Sequence, residues 1–267
     1  MQEVISKFRG VAILSIWLSV PGNAQDLPAL EVDGIVKSVT DFERFDLAEI
    51  EETVKIFLNT ETVTERLKYV RDGERVLPLM KKYYGGEEIE PEGFNDFDKS
   101  ELSYRGDMVT SMVEIDDYSS VPIAVMRIVT KVIGEDEVSY KIDWESWVGF
   151  CEMSLEEMKI QRPNTPVLVR VIASGDRYYN FDFADDEKWD SCKLLFRDSD
   201  ETISGYVKVG SKASKQLADL RRTDDNMPFT LKVVYPANGR SKSQVEIVEV
   251  VEKGWIIGLS EEAKDEK

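Results

Sequence analysis

The sequence predicts an α+β chain in two parts. Three helices and a curved antiparallel sheet would make a cone-like layer, and a small OB-like (oligonucleotide/oligosaccharide-binding) β-barrel with one helix would follow. Three observations carry this. Apolar residues recur at helical spacing three times between residues 47 and 84. From residue 102 the apolar period drops to two. From residue 167 short apolar runs alternate with turn signals, and one helical stretch precedes the last two runs.

The first helix is read over residues 47–58, with Leu47, Ile50, Val54, Phe57 and Leu58 on one side. Asp46 is suited to its N-cap, and Glu49 three residues on completes a capping-box-like start. Residues 62–70 repeat the pattern, with Thr62 as cap and Leu67 and Val70 inward. Asp72-Gly73 breaks the chain, and residues 76–84 form a third helix with Val76, Leu79, Met80 and Tyr83 inside. Pro78 would fall in its first turn, where a missing donor costs little. Gly85-Gly86 ends it, and residues 87–100 are an acidic, Gly-containing loop. Three strands follow, at 102–115, 121–132 and 138–148, with turns at Asp116-Asp117 and Gly134-Glu135-Asp136. A domain over residues 45–150 results. Its last strand holds Lys141 to Phe150, where Asp143, Glu145 and Trp147 alternate with Ile142, Trp144 and Val148.

Residues 151–166 read as a short helix and a linker. Ser154 caps the helix with Glu157 three residues later, and Arg162-Pro163-Asn164-Thr165-Pro166 follows. The barrel domain, residues 167–258, is read as strands at 167–173, 178–183, 192–197 and 202–209, a helix at 211–220, and strands at 229–235 and 245–251. Asn238-Gly239 is the turn between the last two. An SH3-like barrel or a small open sheet is the alternative. Residues 259–267 are a charged tail.

Residues 1–24 read as a secretory signal peptide. Lys7 and Arg9 give a basic start, partly offset by Glu3, and residues 10–20 are apolar. Pro21 breaks the run, and Gly22-Asn23-Ala24 places small residues for cleavage before Gln25. The apolar run falls short of the about 20 residues a spanning helix needs. No cysteine follows it directly, so a lipid anchor is not expected. Residues 25–44 are a leader. Export to the periplasm or outside the cell is expected, with no membrane span in the mature chain.

The 267 residues carry a net charge of −18, which disfavours phosphate polymers and anionic membrane surfaces. There is no histidine. Serine and cysteine catalysis that relies on imidazole, histidine-ligated zinc and imidazole proton shuttling are therefore excluded. No cofactor and no metal are expected.

The candidate ligand or interface residues are Asp143, Trp144, Glu145 and Trp147. A carboxylate beside an indole inside a cone would serve as a general base or a ligand clamp. Alternatively the acids pair with Arg66, Arg71 or Arg75. Asp182, Asp185, Asp186, Glu187 and Asp190 form an acidic run that offers calcium many oxygens, although a solvated loop explains it as well. Asp96 to Ser100, with Asp107, opens like a calcium loop, but Glu101 stands where glycine is needed. Cys151 and Cys192 either pair or stay free and buried. Arg105-Gly106-Asp107 is an adhesion-type tripeptide within a strand. Ser174-Gly175 and Ser204-Gly205 lack a nucleophile-elbow context. Trp189 and Trp255 are expected to pack in the barrel.

Phe57-Leu58, the stretch Thr62 to Arg71, Arg75 to Met80 with Tyr83-Tyr84, and Asp143 to Gly149 resemble segments of uncharacterised exported bacterial two-domain proteins. The resemblance covers most of residues 45–255, and that group has no assigned activity to carry over. The order of helices then strands is also similar to the SnoaL and ketosteroid-isomerase cone. The likeness is one of topology, which does not set function.

Two functions follow as expectations. One is an exported, non-catalytic binding or interaction protein whose partner is a protein or a small molecule. The other is a histidine-free enzyme of the ketosteroid-isomerase or SnoaL kind, with Asp143 or Glu145 as base. N-terminal sequencing of the exported protein is expected to begin at Gln25. An intact Met1 on soluble cytoplasmic protein would overturn export.

Overall fold

The structure is a computed structural model that describes residues 45–258, except 101, 118, 133, 134, 198, 200, 223 and 224. The expected signal (1–24), leader (25–44) and tail (259–267) lie outside the described residues. The fold is α+β, and the chain divides into two compact units between Trp147 and Val148. Among the described residues no helix is long and apolar enough to cross a membrane.

In the first unit, helix α1 is Leu47–Asn59. Asp46 caps it by accepting from the Ala48 and Glu49 amides at 3.0 and 3.1 Å. Its buried side is Ile50, Val54, Phe57 and Leu58. The stretch expected as one helix over 62–70 is shorter and tighter: α2 is Val63–Arg66, and a 3₁₀ turn takes Leu67–Tyr69. Helix α3, Gly73–Tyr84, starts earlier than the apolar pattern implied. Asp72 turns the chain at φ 52°, and its carbonyl accepts from the Arg75 and Val76 amides. Pro78 therefore sits in the helix interior rather than in the first turn.

Five strands follow: β1 (Asp96–Phe97), β2 (Ser103–Arg105), β3 (Met108–Glu114), β4 (Ser120–Val132) and β5 (Glu135–Ile142). They form a curled antiparallel sheet of order β1-β3-β4-β5, with β2 also on β3. The single strand expected over 102–115 is a hairpin. Gly106 turns it at φ 59°, a backbone geometry that suits glycine.

The largest correction falls on residues 143–148. They are not strand. β5 ends at Ile142, and helix α4 is Trp144–Trp147. Asp143 causes this locally: its Oδ1 accepts from the Ser146 amide at 2.9 Å and its carbonyl accepts from the Trp147 amide at 3.0 Å. An aspartate that can cap the third residue after it competes with the strand ladder. Trp144 and Trp147, three apart on a helical turn, share a side instead of alternating, and both are buried.

In the second unit helix α5, Leu155–Gln161, opens with a full Ser154/Glu157 capping box. Five strands then close a barrel: β6 (Val167–Gly175), β7 (Trp189–Phe196), β8 (Thr202–Lys208), β9 (Met227–Val234) and β10 (Gln244–Lys253). The order is β10-β8-β7-β6-β9, and β9 pairs with both β6 and β10. The β8–β10 pair is parallel and the other pairs are antiparallel. A short helix α6 (Lys212–Gln216) and a 3₁₀ turn (Ala218–Arg221) sit between the third and fourth barrel strands, where one longer helix was expected. This five-stranded closed barrel with its helix before the last two strands matches the OB-like expectation. Residues 178–183, expected as a strand, are instead a loop with a 3₁₀ turn at Phe181–Phe183, which Asn180 caps. The core is Val169, Val171, Leu194, Phe196, Leu231 and Val233 among others, and Leu155 and Met158 of α5 belong to it.

Gly205 of β8 packs against this core. A Cβ there would lie 2.8 Å from Leu194 Cδ1 and 2.9 Å from Ile247 Cδ1. Gly205→Ala is expected to cost about 1–3 kcal/mol by overpacking, read as a lower denaturant midpoint with an unchanged slope.

Candidate binding site

The four residues singled out in the sequence come together in the first unit, in one internal network. Asp143 Oδ2 meets Arg71 Nη1 at 3.1 Å, and the Glu145 carboxylate pairs with Arg75. Trp144, 1% exposed, donates from its indole to the Tyr84 hydroxyl at 3.1 Å. Trp147 donates to Glu92 Oε2 at 3.1 Å. Arg66, at 0% exposure, joins the two tryptophan threads. Its Nη1 pairs with Glu92 Oε1 at 2.7 Å and donates to the Tyr84 hydroxyl at 3.1 Å. Its Nη2 donates to the Leu58 and Thr60 carbonyls. Burial pushes the Tyr84 hydroxyl above its ordinary pKa, so it stays a donor and acceptor. Both candidate acids thus face arginines. The arrangement holds the turn after β5 against α3 and the loop at Glu92.

The other sequence candidates disperse. Asp182 pairs with Arg240, Asp185 with Lys188, and Asp190 Oδ2 accepts from the Ser214 hydroxyl at 2.7 Å. Among the described residues no group of three or more histidine, cysteine or acidic side chains is placed to hold a metal. Asp98 accepts from the Ser100 amide. Gly106-Asp107 form the β2–β3 turn, and Asp107 pairs with Arg127. Cys151 and Cys192 are unpaired with each other, and burial pushes the Cys192 thiol up to about 12. Trp189 packs edge-on against Phe183 at 4.9 Å, and Trp255 donates to the Val171 carbonyl at 3.0 Å.

A site that the sequence did not signal lies at one end of the barrel. A cleft of about 370 Å³ opens between the β6–β7 loop and the β9–β10 loop. Asp176 and Tyr178 come from the first loop, Lys193 from β7, Ser204 from β8, Ser243 from the second loop and Gln244 from β10.

Its walls are pinned from within. Tyr206 is buried on β8 and stacks on Phe183 with ring centroids 4.1 Å apart and planes 3° from parallel. Its hydroxyl donates to the Tyr178 carbonyl at 2.9 Å and accepts from Gln244 Nε2 at 2.8 Å. Burial raises this hydroxyl's pKa, so the proton stays. The two loops are also clamped to each other. The Arg240 amide donates to Asp182 Oδ2 at 2.8 Å, and the Arg240 guanidinium lies 5.7 Å from the Phe181 ring. Arg162 holds the second loop through the carbonyls of Gly239 and Ser241.

Two details stand out. Gln244 is 3% exposed, yet its Oε1 has no hydrogen-bond partner among the described residues. An unmet buried acceptor costs about 1–3 kcal/mol. Phe181, 43% exposed, holds φ at 52°, in the left-handed region. For a bulky residue that backbone costs about 1–3 kcal/mol, and it persists where the surroundings over-determine it. Sequence patterning reads Tyr178 to Phe183 as a strand, which hides the turn at Phe181.

Set against known proteins, the chain matches no protein-family model, no curated protein and no solved structure.

Trp144→Ala is expected to destabilise by about 3–5 kcal/mol, because it opens a cavity and strips a partner from Tyr84. Asp143→Asn keeps the shape and is expected to cost about 1–3 kcal/mol by leaving Arg71 underpaired. Denaturant midpoints measure both. An Asp143→Asn protein more stable than wild type would return the carboxylate to candidacy as a base.

Proposed function

We propose that this chain is an exported, non-catalytic binding protein, with its ligand seat in the cleft of the barrel unit. One observation carries the reading: the cleft is preformed. Its two loops are tied to the barrel through Tyr206 and Arg162 and to each other through Arg240 and Asp182. A recess whose walls are already ordered avoids much of the entropic cost of ordering them around a ligand. Its volume falls within the range of ordinary ligand sites. The reading of residues 1–24 as an export signal supports a ligand met outside the cytoplasm.

The enzyme alternative rests on Asp143 or Glu145 acting as a base. Each is committed to an arginine, and a base must instead reach a substrate proton. The binding reading is therefore preferred.

Amide NMR of the full chain, titrated with a library of small polar molecules and short oligomers, tests this. Saturable shifts are expected at residues 176–182, 193, 202–204 and 241–244, with every library compound recovered unchanged. Turnover of a compound, shifts centred on Asp143 and Glu145, or no binder at all would each count against the proposal.

A further inference from the structure

We infer that Gly254–Gly258, the segment after β10, is a latch on the joint at which the chain passes from one compact unit to the other. Docked on the barrel, it fixes that joint in one conformation. Released, it leaves the joint free to move.

The chain divides between Trp147 and Val148, so the joint is the run that follows, Val148 to Glu152. The joint and the latch both belong to the second unit. Gly149 holds φ at 61°, in the left-handed region that favours glycine. A Cβ there would lie 2.9 Å from Arg197 Cδ and 3.3 Å from Trp255 Cζ3, so the indole of the latch sits directly on this backbone. Phe150 gives its carbonyl to Arg170 Nη1 at 2.7 Å. Cys151 Sγ accepts from the Arg170 amide at 3.2 Å, and the Glu152 amide donates to the Leu168 carbonyl at 3.0 Å. The joint therefore lies along residues 168–170 of β6, which β7 pairs only from Val171 onward.

The seat of the latch is a row of polar residues. Arg170 faces Thr230 across β6 and β9, and Thr230 faces Glu252 across β9 and β10. Arg170 and Thr230 alternate with the core residues Val169, Val171 and Leu231, so they point away from the barrel interior. All three polar residues are nonetheless buried. The latch accounts for this. Thr230 Oγ1 donates to the Gly254 carbonyl and Arg170 Nε to the Trp255 carbonyl, each at 2.8 Å. The Gly258 amide donates to Glu252 Oε2 at 3.2 Å. The Gly254 amide and the Trp255 indole complete the seat, on the carbonyls of Pro228 and Val171.

Arg170 is the catch. One buried guanidinium holds the joint through Nη1 and the latch through Nε. A buried cation that loses an acceptor is strongly destabilised, so release of the latch loosens the hold on Phe150 as well. The latch also opens more readily than the barrel unfolds. None of its residues belongs to the hydrophobic core described for the barrel, and segments with few buried apolar contacts open at the low end of the stability range.

The test compares the full chain with a chain ended at Lys253, a chain ended at Gly258 and the full chain carrying Trp255→Ala. Amide hydrogen exchange is read at Glu152 and Arg170, whose donors are tied across the joint, and at the amides that pair β7 with β8. Ending at Lys253 is expected to speed exchange at Glu152 and Arg170 about tenfold or more, with the β7–β8 amides still protected. Chymotrypsin is expected to cut after Phe150 faster in that chain. Trp255→Ala keeps the carbonyl that Arg170 needs and is expected to give a smaller rise at the same two amides, at a melting temperature close to wild type. Ending at Gly258 is expected to change neither readout. Unchanged exchange at Glu152 and Arg170 in either latch variant would overturn the inference. Protection lost evenly through the barrel, or failure to fold, would make the segment part of the barrel's core and overturn it too. A rise already present in the chain ended at Gly258 would move the hold to residues 259–267 and away from the latch.

Discussion

The Tyr206 hydroxyl has a single proton, and the cleft end of the barrel is arranged by where it goes. Given to the Tyr178 carbonyl, it fixes the β6–β7 loop. The same oxygen must then accept, and Gln244 at the start of β10 is the donor. One side chain on β8 therefore orders a loop that precedes it and a strand that follows it. The stack on Phe183 makes this rigid, since a parallel ring pair 4.1 Å apart leaves the phenol little room to tilt. Buried polar networks specify a unique arrangement when every member is satisfied. Here one atom, Gln244 Oε1, stands apart from that rule, and natural proteins break local rules most often where they act.

The first unit has a corresponding hub with the opposite character. Arg66 at 0% exposure has its guanidinium shared among Glu92, the Tyr84 hydroxyl, the Thr60 hydroxyl and two carbonyls. A buried cation with that many acceptors is tolerated, and one stripped of them is not. Through Glu92 and Tyr84 it reaches both tryptophans of α4. The Arg75–Glu145 pair at the edge is a different case. Arg75 is largely in water, where such a pair contributes about 0–1 kcal/mol. The tryptophans and Arg66 hold this region, and Glu145 is an accessory to them.

Much of the architecture was legible from periodicity. The α1 face read off Ile50, Val54, Phe57 and Leu58 is the buried face, and the Ser154/Glu157 box caps α5 as written. Two of the misread strands have a common cause. At Asp143 and again at Asn180 a short polar side chain caps a turn, while the neighbouring aromatic residues carry strand propensity. Alternation of bulky residues then reads as a strand in both places. The cleft was not legible because its parts come from both flanking loops and three strands, far apart in sequence. Lys193, Ser204 and Gln244 are ordinary residues until the barrel's register brings them together. Arg66 carried a partial signal, as an arginine amid apolar positions in a predicted helix, but its acceptor at Glu92 lies in a loop without a pattern.

Strand β9 closes the barrel by pairing Val167 with Val233 on one side and Val233 with Ile247 on the other. β10 in turn reaches back to pair in parallel with β8, where Val245 meets Gly205. These contacts are long in sequence, so much of the chain must be held before they form. During synthesis β6, β7 and β8 emerge as an open meander with exposed edges, which is the state most prone to sticking to other chains. Gln244 sits at the first residue of β10, so the cleft comes into being only with the final closing step. The lining of the cleft is therefore complete only once the barrel is. A chain stalled before β10 exposes the same apolar strands to whatever assists its folding.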